Sequence, residues 1–290
     1  MGMLRGTRGC AILGAMGAPL HGHLTPAAIE QGLPALQELQ DWLHVEAPTY
    51  LRRLPGRQTY LWPAKDPKWV VKRFEGDARA DRWFDRRTGQ GGRCPAHREF
   101  DNLVALGGRG LQVPGPLAWI QVGDRSLMVM EFAPHSQTLR DRLEQSPGSW
   151  RVWRNGLLDL VLDLHGRAGS PQAGHHRDLY LQHLLLTGDP ERLCLIDVGR
   201  VRLKSGVRQR WFEKDLAALA HSAPDSLGER KRLAWLARYL EGLAGPVDRA
   251  QARKRLFTWA RAIQNRMRRM EKHQPRHGEP TSSETPSMEE

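Results

Sequence analysis

The residues with the most chemical potential lie in two short runs. His176-Arg177-Asp178-Leu179-Tyr180-Leu181-Gln182-His183 leads from a polar triplet into the apolar Leu184-Leu185-Leu186, and nineteen residues after Asp178 comes Leu195-Ile196-Asp197-Val198-Gly199. An acidic residue at the mouth of each strand of a short hairpin places two carboxylates together, facing a cleft. Phosphoryl transfer needs such a pair. One carboxylate orients the attacking hydroxyl and accepts its proton, while the other holds Mg²⁺ that bridges nucleotide phosphates. Upstream, Lys72 stands at the end of a strand-like run and Glu99 on the helix that follows. The lysine offers a point charge to the phosphates and the carboxylate holds it in position.

Taken singly, each piece has a bland reading. An H-R-D triplet is common at turns and helix starts, a lysine ending a strand is usually solvated, and Glu99 after Arg98 reads as an ordinary surface charge on a helix. Their joint order carries the inference: hairpin, strand with lysine, helix with glutamate, H-R-D, then D-x-G at close spacing.

The elements that must position these residues follow from periodicity. Thr25-Pro26 caps a helix predicted over residues 25–43, with Ile29, Leu33, Leu36, Leu39 and Leu43 at helical spacing. Residues 50–54 and 58–62 flank a Pro55-Gly56 turn and read as a hairpin, and residues 69–74 as a third strand. Residues 76–94, rich in arginine and glycine, read as a mobile loop, residues 96–106 as a helix, and 117–122 and 126–132 as two more strands. After Pro134 the pattern is helical over 138–145, 150–166, 211–221, 227–243 and 246–272, interrupted by a hairpin at 184–186 and 193–197. Strands followed by helices predict an α+β chain of two lobes: a small β-rich N-lobe of five strands and one main helix, and a larger helical C-lobe, with a cleft between. The divisions expected are an N-terminal extension at 1–44, the N-lobe at 45–134, the C-lobe at 135–272 and a disordered Pro/Ser/Thr/Glu tail at 273–290.

In these runs the chain resembles the Kdo/WaaP family of lipopolysaccharide kinases, which share the protein-kinase-like fold. The matching stretches are Leu54-Pro55-Gly56-Arg57-Gln58-Thr59, Val71-Lys72-Arg73-Phe74, Arg98-Glu99-Phe100-Asp101-Asn102-Leu103 and Val113-Pro114-Gly115-Pro116-Leu117-Ala118-Trp119. They continue through the H-R-D-L-Y-x-x-H run, Leu195-Ile196-Asp197 and residues 210–219. The most specific part is the final histidine of that run, because ordinary protein kinases place asparagine where His183 stands. The resemblance covers roughly residues 50–221 and implies ATP-dependent phosphorylation of a sugar hydroxyl in the lipopolysaccharide inner core, commonly a heptose. Carried over, Lys72 grips the nucleotide phosphates and Glu99 pairs with it. Asp178 is the catalytic base, Asp197 the main Mg²⁺ ligand, and His183 the second metal-side residue. Asp215 braces the catalytic loop, and the segment around Glu131 is the hinge that meets adenine through backbone groups. Three departures stand out. Gly56 is the only glycine between the first two strands, so the phosphate-covering loop lacks G-x-G-x-x-G and depends on the backbone amides around Gly56. The metal loop reads D-V-G. His183 is a poorer partner for Mg²⁺ than an amide oxygen, and a phosphate or a metal-bound water is the other partner open to it.

Composition bounds the rest. The 290 residues carry a net charge of +12 and a pI near 10.2, and Cys10, Cys94 and Cys194 are too few and too scattered for a disulfide framework. No run reaches the roughly 18 apolar residues of a membrane span. The short glycine-rich apolar run at 10–20, behind Arg5 and Arg8, reads as a frayed leader, or as upstream of a start at Met16, more than as an export signal. Residues 249–272 hold nine basic residues and one acidic one, with an apolar stripe of Leu256, Trp259, Ile263, Met267 and Met270. The bland reading is a packed helix with a solvated basic face; the sharper one sets that face against an anionic membrane, with the protein peripheral on the cytoplasmic side of an inner membrane. Nucleic acid is disfavoured as a partner, since no groove-reading or aromatic-rich motif accompanies the charge. Two rivals to a lipopolysaccharide kinase stay open on sequence: a kinase of a protein or other small hydroxylated molecule, and a non-catalytic kinase-like scaffold.

Overall fold

The computed structural model describes residues 12–13, 18–46, 50–76, 92–204 and 206–273. Most of the predicted arginine-rich loop (77–91), the residues around Cys10 and the predicted tail beyond 273 lie outside the described residues.

Five antiparallel strands and one helix between residues 50 and 131 form as the periodicity predicts: β3 (Tyr50–Leu54), β4 (Arg57–Trp62), β5 (Trp69–Glu75), α3 (Pro95–Gly107), β6 (Pro116–Val122) and β7 (Arg125–Glu131). The sheet, however, has seven strands. β1 (Ile12–Leu13) and β2 (Pro19–Leu24) extend it, in the order β1-β2-β6-β7-β5-β4-β3. The expected long helix over 25–43 is instead α1 (Pro26–Glu30), α2 (Leu36–Leu39) and a 3₁₀ turn at Asp41–Leu43. Gly32, at φ +73°, and Pro34 stop the helix between its apolar residues.

Strand alternation explains what covers each face of this sheet. Val71, Leu127 and Val129 pack with Leu20, Ala28, Leu33, Leu39 and Leu43 of the N-terminal segment. Phe74, Met128 and Met130 pack toward α3 and the helical lobe. The predicted extension is therefore the outer layer of the N-lobe; Leu33, Leu39 and Leu43 of its apolar spacing are buried on the sheet, while Ile29 is exposed. Buried Arg73 ties it down, donating to the carbonyls of Val45 and Trp42, to the Tyr50 hydroxyl and to Gln58.

The C-lobe holds α4 (Leu139–Gln145), α5 (Trp150–His165), α6 (Gln209–Ser222), α7 (Glu229–Ala244) and α8 (Arg249–His273), each within a few residues of its predicted span. A capping box, with Thr138 and Asp141 each accepting from the other's N–H, starts α4. The predicted hairpin forms as β10 (Leu184–Thr187) and β11 (Arg192–Leu195), joined by the unpredicted β8 (His135–Thr138). A second unpredicted pair, β9 (Ala173–His175) with β12 (Arg202–Lys204), brackets the segment that carries Asp178 and Asp197. Among the described residues no helix is long and apolar enough to cross a membrane.

Candidate active site

Lys72 lies on β5 in the even-numbered register that faces α3, which sends its ammonium into the lobe interior against Glu99. Both side chains are buried, at 7% and 2% exposure, so the pair is held without competition from water. The same ammonium stands 3.8 Å from Asp197 Oδ1. Gly199 completes this corner: a Cβ there would fall 3.1 Å from Glu99 Oε2, so the glycine of D-V-G lets the metal loop lie against the ion pair. Asn102, one turn along α3, donates to the carbonyls of Val198 at 2.8 Å and Val201 at 3.2 Å and anchors that loop.

Asp197 and Arg177 are, among the described residues, the non-glycine residues with positive φ, at +56° and +76°. Left-handed backbone at two such residues of one site is strain that the surroundings must hold. For Arg177 the holder is Asp215 on α6, which is fully buried. Its carboxylate accepts the N–H groups of His176 and Arg177 at 2.6 and 2.7 Å and meets His165 Nε2 at 3.2 Å. His165 in turn meets the Tyr239 hydroxyl at 2.7 Å. Burial pushes the Asp215 carboxyl up, yet the His165 and backbone hydrogen bonds outweigh it and hold the group below the usual carboxylate range. This is the bracing role that the family resemblance implies.

Asp178 projects from the loop so anchored. Its Oδ2 accepts from Arg200 at 2.9 Å and its Oδ1 lies 3.8 Å from Lys214. The Asp178 carbonyl meets His183 Nδ1 at 2.9 Å. A carbonyl only accepts, so Nδ1 carries the proton, and in the neutral ring Nε2 presents a lone pair 3.9 Å from Asp197 Oδ2. The ring nitrogen and the carboxylate thus stand side by side. Burial alone would raise the Asp197 carboxyl, but Lys72 and Arg57 hold it well below the usual range, so it is ionised.

These donors fit a Mg²⁺ carried in by a nucleotide. Mg²⁺ commonly takes one or two protein groups and fills the rest of its shell with water and phosphate oxygens. Asp197 supplies the anion, and His183 Nε2 suits a metal-bound water as well as the metal.

Of the predicted residues, Lys72, Glu99, Asp178, His183 and Asp197 come together. Two do not. The Glu131 carboxylate faces the outer side of the sheet and accepts from Gln31 of the N-terminal segment at 2.7 Å, while its N–H goes to the Gly115 carbonyl at 2.8 Å. As an odd-numbered residue of β7, Glu131 turns its side chain to the outer face, so a contact of this segment with adenine would fall to its remaining backbone groups. Gly56 serves turn geometry, with φ +73° and its carbonyl accepting from Glu75 N–H at 2.9 Å. The group that reaches the cluster from that turn is the next side chain: Arg57 Nη2 lies 2.7 Å from Asp197 Oδ1. Arg57, Arg200, Lys214 and Asn102 carried no site signal in the sequence, although Arg57, Asn102 and Lys214 fall inside the family-like stretches.

Residues 85–239 match the Lipopolysaccharide kinase (Kdo/WaaP) family. A curated relative, lipopolysaccharide core heptose(I) kinase WaaP of Pseudomonas aeruginosa, is 34% identical over 143 residues, which are 47% of this chain and 51% of that protein. The match thus spans about half the length of that relative. A solved structure of WaaP in complex with acyl carrier protein superposes with a TM-score of 0.57 at 26% identity, covering 87% of this chain and 98% of that one. The family match spans more than half of the chain and includes Glu99, Asp178, His183 and Asp197; the chain belongs to the Kdo/WaaP lipopolysaccharide kinase family.

Proposed function

We propose that this protein transfers the γ-phosphoryl group of ATP to a sugar hydroxyl of the lipopolysaccharide inner core, a heptose, at the cytoplasmic face of an inner membrane. The observation that carries the reading is the convergence of the Lys72–Glu99 pair, Asp197 and the Asp215-braced Asp178 on one cleft. Lys72 binds phosphate oxygens and Glu99 keeps its ammonium in place. Asp178 accepts a hydrogen bond from the acceptor hydroxyl, orients its oxygen toward the γ-phosphorus and takes its proton as the new P–O bond forms and the β–γ phosphoanhydride bond breaks, releasing ADP. Arg200 and Lys214 beside Asp178 suit an acceptor that carries anionic groups near the reacting hydroxyl. Asp197, with His183 beside it, would hold a Mg²⁺, which when bound would supply neutralisation of the phosphate charge. The test is twofold. Asp178→Ala and Asp197→Ala are expected to abolish transfer while leaving a folded protein, and loss of the gene to remove one phosphate from the core as read by mass spectrometry. Wild-type activity in either variant, or an unchanged core, overturns the reading.

A second reading concerns a partner. The solved relative is a complex with acyl carrier protein. In this chain an apolar cavity of about 380 Å³ lies among α5, α6, α7 and α8, lined by Leu157, Leu219, Leu236, Ile263 and Met267. α8 also exposes Arg268, Arg269 and Lys272. A carrier protein bearing an acyl chain would find an apolar slot there, beside an exposed basic face. Ala220→Trp, which fills the slot, is expected to abolish co-elution with acylated carrier protein; unchanged co-elution removes this reading.

A further inference from the structure

Arg57 makes a contact that the turn it follows does not explain. It begins β4 at the tip of the β3–β4 hairpin, where a phosphate-covering loop would present several glycines, and here there is one. Gly56 spends its carbonyl on Glu75 within the hairpin. The Arg57 guanidinium instead reaches 140 residues along the chain to Asp197 Oδ1, at 2.7 Å. It crosses the face of Phe74, 5.5 Å from the ring centroid, which supports it as a cation over an aromatic surface. Its Nε is buried and has no hydrogen-bond partner among the described residues, so one edge of the planar fork is unused.

Asp197 Oδ1 therefore faces two cations, Arg57 and Lys72 at 3.8 Å. A nucleotide with its Mg²⁺ changes both sides of that arrangement: the carboxylate gains a divalent cation, and the arginine gains phosphate oxygens, which match its fork in two bonds where Asp197 offers one. We propose that Arg57 is a phosphate-binding residue, held at the cleft by Asp197, whose guanidinium takes the β- and γ-phosphates of the nucleotide in place of glycine-loop amides. The proposal rests on the reading of this cleft as a nucleotide site. It accounts for a hairpin tip with a single glycine, because a side chain that reaches the phosphates removes the need for close backbone approach.

The test is equilibrium binding of Mg-ATP, Mg-ADP and adenosine to the full chain, for wild type, Arg57→Gln and Arg57→Lys. Arg57→Gln is expected to weaken Mg-ATP and Mg-ADP by roughly 10- to 100-fold and to leave adenosine unchanged, as loss of a charge-assisted contact to phosphate alone. Arg57→Lys, which keeps the charge and loses the fork, is expected to fall between. Equal weakening of adenosine and ATP would make Arg57 a structural bridge between the lobes, and unchanged Mg-ATP affinity would make it neither; both overturn the proposal. If Arg57→Gln does not fold, Arg57→Lys decides: Mg-ATP affinity equal to wild type sinks the idea. A wild-type chain that binds no nucleotide overturns the site reading itself, an outcome separate from wild type and variants binding alike.

Discussion

Asp215 accepts two backbone N–H groups and one imidazole with no exposure to water, and its removal leaves all three without that partner. Asp215→Ala is therefore expected to cost about 2–4 kcal/mol of stability, read as a lower Tm, since each buried donor left unmade costs about 1–3 kcal/mol. It also releases Arg177 from its left-handed backbone, so turnover should fall by more than the affinity for Mg-ATP, which Lys72 and Asp197 hold. Neighbouring His175 sets a pH dependence. It is buried against the Trp211 ring, 4.8 Å between centroids, and burial lowers its pKa to about 4. His176 is shifted the same way. Between about pH 6.5 and pH 4 the unfolded chain binds protons that the folded chain refuses, so stability falls as the pH falls through that window. For His175 alone the loss is of order 3 kcal/mol at its lower end. His175→Phe, which keeps the stack, is expected to flatten the fall in Tm across pH 6.5 to 4; a profile parallel to wild type would show that His175 does not carry it. Asp215 and Asp197 act lower, where stability present above the ordinary carboxylate range is lost only as the pH drops through their depressed values.

At the scale of elements, β2 approaches β6 so closely that a Cβ on Gly22 would fall 2.8 Å from the Trp119 carbonyl oxygen and 3.0 Å from Ile120 Cγ2. Gly22→Val must push the outer layer off the sheet and is expected to cost about 1–3 kcal/mol in thermal or urea unfolding. A variant as stable as wild type would mean that this layer is only loosely attached. The same strand marks where reading the sequence stopped short. Pro19-Leu20-His21-Gly22-His23-Leu24 has a period of two, but glycine at a buried position and an apolar, glycine-rich approach hid it. The segment from Thr25 showed helical spacing, but of those residues Leu33, Leu39 and Leu43 are buried while Ile29 is exposed, and Gly32 and Pro34 were the available signs of the breaks. Five strands, α3 and the five C-lobe helices were legible because each has its own period and its own turn or cap. The site divided in the same way. Lys72, Glu99, Asp178, His183 and Asp197 sit in local motifs, whereas Arg57 and Asn102 act on the metal loop across 140 and 96 residues, a proximity that only the folded chain creates.

Over the whole molecule the charge is concentrated. Of the net +12, α8 carries +8 through residue 272, and it packs by Trp259 and Ile263 with Arg266 bonded to Glu213 of α6 at 3.2 Å. Arg249, Arg253, Lys254, Arg261, Arg268, Arg269 and Lys272 remain exposed. The packed helix and the membrane-facing helix are thus two faces of one element, and they call for a test that alters only the outer face. Ending the chain before α8 would bare the surface that Trp259 and Ile263 cover and would confuse unfolding with lost binding. Replacing Arg268, Arg269 and Lys272 by glutamine leaves that packing alone. With each cation near an anionic surface contributing about 1 kcal/mol, the triple variant is expected to lose roughly 100-fold in partition onto vesicles containing phosphatidylglycerol, with Tm unchanged. Wild-type binding should itself weaken as salt rises and be slight on neutral phosphatidylcholine, since exposed charges are screened within about 10 Å at 0.1 M salt. Equal sedimentation of variant and wild type with the anionic vesicles would return the basic face to the solvent, and the acceptor would then have to be brought to the cleft by contacts around Asp178, where Arg200 and Lys214 stand.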